Sequence, residues 1–102
     1  MYKLVISEVA HKDLDDIVSY ILVELANPMA AANFLDKVEE CYGYLKSNPL
    51  IYERCNDALL GKEGFRKAAI KNYILVYKVD EKTGVVNIYR FFYGAQDYIK
   101  LI

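Results

Sequence analysis

The apolar residues of this chain change their period near its middle, and that change constrains the fold more than any other feature. Leu14, Ile17, Val18, Ile21, Leu22 and Leu25 recur at the three- and four-residue spacing of one helix face. Ala31, Phe34, Leu35, Val38, Cys41, Tyr42 and Leu45 repeat that spacing in a second block. Beyond Gly64 the pattern gives way to Phe65–Ile70, Tyr73–Val79 and Val85–Tyr93, runs of aromatic and β-branched residues that suit strands. Helices gathered ahead of consecutive strands point to an α+β domain rather than an alternating α/β one.

The punctuation agrees with the periods. Tyr2 to Ile6 reads as a short leading strand, expected to join the sheet as an extra edge. Ser7 offers an N-cap hydroxyl and Glu8 suits a helix start, with Lys12, Asp13, Asp15, Asp16 and Ser19 expected on the wet side. Asn27-Pro28 ends the first helix and opens the second, because asparagine caps well and proline fits the first helical position. Lys46 complements the dipole of that second helix, and Ser47-Asn48-Pro49 stops it. So short a link between striped helices implies an antiparallel hairpin.

Residues Leu50 to Gly64 read as one long loop. Short turns at Lys71-Asn72 and Asp80–Gly84 then make the three strands an antiparallel meander, and Ala95–Ile102 a tail. The expected order is β-α-α-β-β-β, a helical hairpin packed on one face of a small, mainly antiparallel sheet. The run Tyr73-Ile-Leu-Val-Tyr77 does not alternate, so the face away from the helices also needs cover: from the loop, the tail or a partner.

Size and charge set further bounds. One hundred and two residues, 1–102, make a single domain with one modest core. No apolar stretch approaches the roughly 20 residues of a membrane span. The opening residues lack the basic region and apolar run of a signal peptide, so the cytoplasm is the expected compartment. Cys41 reads as a small core residue and Cys55 as a loop residue; with one histidine they are too few for a zinc site, and neither metal nor cofactor is expected. His11 reads as structural or exposed, and Asp13, Asp15 and Asp16 as a solvated helix face. The net charge is −1, yet the second half is basic, with Arg66, Lys67, Lys71 and Lys78 within a short span. Such a cluster attracts an anionic partner or merely guards a sheet edge. Ten tyrosines serve interfaces, base stacking or plain strand propensity alike.

Conventional catalytic frames are absent: there is no GxSxG, P-loop or HExxH. What the strands do carry is Gly64-Phe65-Arg66-Lys67, then Asn72-Tyr73-Ile-Leu-Val-Tyr77, then Val86-Asn-Ile88-Tyr-Arg90-Phe-Phe-Tyr93-Gly94-Ala-Gln-Asp97-Tyr98. With Asp13-Leu14, Pro28, Ala30-Ala31 and Asn48-Pro49 upstream, this series resembles the RelE/ParE family of type II toxins over nearly the whole chain.

That resemblance implies two alternative chemistries on one fold. Some members cleave messenger RNA in the ribosomal A site, whereas ParE-like members act on DNA gyrase; both are silenced by a small antitoxin. In the nuclease reading the residues would be Arg66, Lys67, Arg90 and Tyr98, supplying cations for the phosphorane-like charge and an acid or base. The sequence departs from that pattern, with Ile74, Tyr93 and Gln96 where cleaving members carry Arg, His and an Arg-type residue. The resemblance therefore implies a ParE-like, plasmid-stabilising toxin, with Arg66, Lys67, Lys71, Arg90, Gln96, Asp97 and Tyr98 as target contacts. An inactive member kept as a binding module is the third reading.

Overall fold

A computed structural model describes residues 1–55 and 58–94, the side chains of residues 58 and 59 aside. Its elements are β1 (Lys3–Ile6), α1 (Glu8–Ser19), α2 (Pro28–Ser47), α3 (Ala58–Lys62), β2 (Phe65–Ile70), β3 (Tyr73–Asp80) and β4 (Val85–Tyr93). The strands form one sheet in the order β1-β4-β3-β2, with β1 parallel to β4 and the other pairings antiparallel. The expected α+β architecture and the edge position of the first strand are both present.

Both helix starts form as their caps dictate. Ser7 Oγ accepts the Ala10 N–H at 3.0 Å, and Asn27 Oδ1 accepts that of Ala30 at 3.0 Å. The first apolar stripe, however, does not stay buried to its end. After α1 the chain widens into a π-helical turn, Tyr20–Glu24, closed by a Leu25 N–H to Tyr20 carbonyl bond of 3.1 Å. The extra residue in that turn shifts every later side chain around the axis. Ile21 is still buried, but Leu22 is 42% and Leu25 55% exposed.

The π-turn leads into Ala26 at φ +47°, a conformation in which a Cβ crowds the following carbonyl. Ala26→Gly is expected to raise stability by about 0.5–1 kcal/mol, read as a shift in the urea midpoint with an unchanged slope.

The main core lies between the helices and the sheet. Ala31, Phe34, Val38, Cys41 and Leu45 from α2 meet Ala68, Ile70, Leu75, Tyr77, Val86, Ile88 and Phe91. Ile88 and Phe91 share a face despite their odd spacing because Tyr89 is a bulge: Val76 pairs with Arg90 and Tyr77 with Ile88. Tyr77 is fully buried, and its hydroxyl donates 2.6 Å to the Pro49 carbonyl, tying the end of α2 to the sheet centre.

The uncovered face has its cover in the segment after α2. Cys55, Leu60, Phe65, Val76 and Phe92 form a second small core, with Ile74 against it. This corrects two expectations. Residues 50–64 are no plain loop but contain α3, and Cys55 is a buried core residue. α3 packs close enough that a Cβ on Gly61 would sit 2.5 Å from the Cys55 carbonyl oxygen, so only glycine lets the turn approach. Leu75, Val76 and Tyr77 can then all be buried in succession, as the non-alternating run requires.

Candidate functional site

Strand alternation separates the cations that stand together in the sequence. Arg66 pairs across β2–β3 with Tyr77, and Lys67 with Val76. Tyr77 belongs to the helix-side core and Val76 to the opposite one, so neighbours on β2 point to opposite faces. Arg66 Nη1 donates 2.7 Å to the Tyr52 carbonyl. Lys67 lies on the face away from α1 and α2, 3.9 Å from the Glu53 carboxylate, and lines a hollow of about 590 Å³ with Ile51, Glu53 and Ile74. Lys71 sits at the tip of the β2–β3 hairpin, exposed and at φ +56°.

Arg90 shares a row with Lys67, since both pair with Val76 from either side, which puts them two strand spacings or roughly 10 Å apart. Its guanidinium is engaged. Nε donates 2.9 Å to one oxygen of Asp13 and Nη2 donates 3.0 Å to the other, while Cζ lies 4.9 Å from the Phe92 ring centre. The hydrogen bonds that Arg90 donates to Asp13 do most to hold its pKa above the ordinary value, against a smaller lowering from burial.

Asp13 also accepts the Phe91 N–H at 3.1 Å. The expectation that Asp13 lies on the wet side of α1 is therefore wrong: its side chain is only 14% exposed. The reason is geometric. β1 ends opposite Ile88, leaving the outer edge of β4 unpaired beyond it. Ser7 covers the first part, its N–H donating to the Ile88 carbonyl and its hydroxyl to the Tyr89 carbonyl at 2.8 Å. Asp13, two turns on, covers the Phe91 N–H. The signal was present in the sequence, because residue 13 falls at helical spacing with Ala10 and Ile17, inside the apolar stripe.

Of the expected contact residues, then, Lys67 and Arg90 share a face and a row, Arg66 lies on the other side of the sheet, and Lys71 stands apart. Gln96, Asp97 and Tyr98 fall outside the described residues. Among the described residues no helix is long and apolar enough to cross a membrane.

A family model described as the ParE toxin of the type II toxin–antitoxin system parDE matches residues 4–98. The chain belongs to the ParE toxin family. Its fold is also that of solved relatives. A chain of the chromosomal ParDE toxin–antitoxin system from P. aeruginosa superposes with a TM-score of 0.71 at 20% identity, covering 91% of this chain and 96% of that one. A chain of the toxin–antitoxin complex RelBE2 from Mycobacterium tuberculosis gives 0.63 at 24% identity, covering 90% and 96%. A search of curated protein sequences finds no match. At these identities the solved relatives bear on the fold alone.

Proposed function

We propose that this ParE-family toxin poisons DNA gyrase by binding it, without a hydrolytic step of its own, and that a cognate antitoxin neutralises it. The observation that carries this reading is the bidentate Asp13–Arg90 pair. A nuclease of this fold needs several cations converging on one scissile phosphate. Here Arg90 is already matched by a carboxylate, and Arg66 lies on the opposite face from Lys67. A binding surface asks less: Lys67, Lys71 and an apolar surround suffice to hold an acidic or mixed partner.

The antitoxin reading draws support from the solved relatives, which are a ParDE system and a RelBE2 toxin–antitoxin complex. Two surfaces would receive such a partner. Val23, Leu25 and Met29 leave an exposed apolar tip on the helical hairpin. On the other side, the Glu53 carbonyl and Cys55 N–H pair with β2 at Lys67 and Phe65, and among the described residues none pairs with its outer edge toward Ala69, which would take an added strand. Plasmid stabilisation in the cytoplasm would follow from such a pair.

The test is direct. Purified toxin incubated with gyrase, ATP and relaxed plasmid should block supercoiling and accumulate cleaved gyrase–DNA complexes, and adding the antitoxin should reverse both. Ribosome-dependent cutting of a reporter message, with gyrase unaffected, would replace this reading by the nuclease one.

A further inference from the structure

A cleft at the seam between the end of α1 and the ends of β3 and β4 is walled by tyrosine rings. It measures about 530 Å³ and is lined by Tyr20, Tyr73 and Tyr93, with Asp16, Leu25 and Asn72 around them. The rings of Tyr73 and Tyr93 stand edge-on at 5.7 Å, and Phe34 from α2 backs Tyr73 at 5.2 Å, so the inner wall is held from two elements. Tyr20 closes the cleft from the helix side and is half exposed. Burial first, and then the neighbouring Tyr20 and Tyr93 phenols, hold the Tyr73 pKa above its ordinary value.

Three tyrosine rings in the lining, with a carboxylate among them, supply the residue types that attract a cation. A cation already stands beside that carboxylate: Lys12 Nζ lies 2.9 Å from Asp16 Oδ2 in a pair that is mostly exposed on both sides. Exposed pairs of this kind contribute little, so an incoming cation displaces it at low cost. Lys71 borders the two neighbouring hollows and is absent from the lining of this one. Beyond the cage lies the apolar tip of Val23, Leu25 and Met29.

We propose that this tyrosine cleft is a cage for an arginine side chain carried by an apolar segment of a protein partner. Arginine fits better than lysine because its planar, weakly hydrated guanidinium stacks on tyrosine faces while donating to Asp16. On the toxin–antitoxin reading above, on which only the partner's identity rests, that segment belongs to the antitoxin.

The probe is the blocked tripeptide leucyl-arginyl-leucine, with citrulline replacing arginine as the neutral isostere, titrated into the full chain and followed by tyrosine ring resonances. The arginine peptide should bind roughly tenfold tighter than the citrulline peptide. Tyr20→Ala and Asp16→Asn should each weaken it about threefold or more, while Tyr20→Phe, which keeps the ring, should bind like the parent. Residue 20 is half exposed, so an unchanged thermal midpoint will confirm that these variants fold. Equal binding of the two peptides, or binding indifferent to Tyr20→Ala, would overturn the cage. Gyrase poisoning and antitoxin rescue would be untouched by that result, and their loss would leave the peptide titration standing.

Discussion

Asp13→Ala is expected to lower the stability of the toxin by about 2–3 kcal/mol. Three interactions disappear together: both hydrogen bonds to Arg90 and the cap on the Phe91 N–H. The Arg90 side chain is one-third exposed, so water recovers part of the charge and the loss stays below that of a fully buried pair. The Phe91 N–H has no such relief at the core edge and stays unsatisfied. For a domain of this size the thermal midpoint should fall by roughly 10 °C. Asp13→Asn keeps one acceptor oxygen for Phe91 and should cost about half as much. If Arg90 instead served mainly as a free cation for a target, Asp13→Ala would leave the midpoint within a degree or two of the parent.

The contrast between Asp13 and the strand cations shows what was legible in the sequence. Element order, caps and the two stripes follow from period and capping chemistry, which act within four residues, and each is where Ser7, Asn27 and Pro28 place it. What required coordinates was non-local. The edge of β4 that Asp13 covers is 77 residues away in sequence, and no periodicity announces it. The π-turn that exposes Leu22 and Leu25 is a shift of one residue inside an otherwise sound helical pattern. The covering of the second sheet face was an open choice because residues 50–64 carry no strong period, although Cys55, Leu60 and Phe65 together bury it. Adjacency misled most at Arg66-Lys67, where the two-residue period of a strand sends neighbouring side chains to opposite faces. Which faces matter for the target was never a property of the charge cluster alone.

Four buried or half-buried phenols make the fold sensitive to alkali, and the effect should be steep. Burial is the first cause in each case. It pushes Tyr42 up to about 12 and raises Tyr52, Tyr73 and Tyr77 as well, the Cys41 thiol adding to the rise at Tyr52 and the Arg66 guanidinium opposing it at Tyr77. An unfolded tyrosine ionises near pH 10. Below that pH both states hold the proton, and the contribution to stability is intact. Above it the unfolded chain releases protons that the folded chain keeps, so stability falls by about 1.4 kcal/mol per pH unit for each such group, until the folded group ionises as well. Tyr42 and Tyr77 alone should remove roughly 2 kcal/mol between pH 10 and pH 11, with a smaller share from Tyr52 and Tyr73 at their partly exposed positions. Urea midpoints at pH 8, 10 and 11 read this directly. The two phenylalanine variants separate burial from bonding. Tyr77→Phe abandons the Pro49 carbonyl and should cost about 1–2 kcal/mol at pH 8. The Tyr42 hydroxyl is buried with no hydrogen-bond partner, so Tyr42→Phe should cost nothing at pH 8 or stabilise slightly. Both variants should flatten the alkaline decline by one group's share. A decline unchanged in the double variant would assign it to the lysines instead.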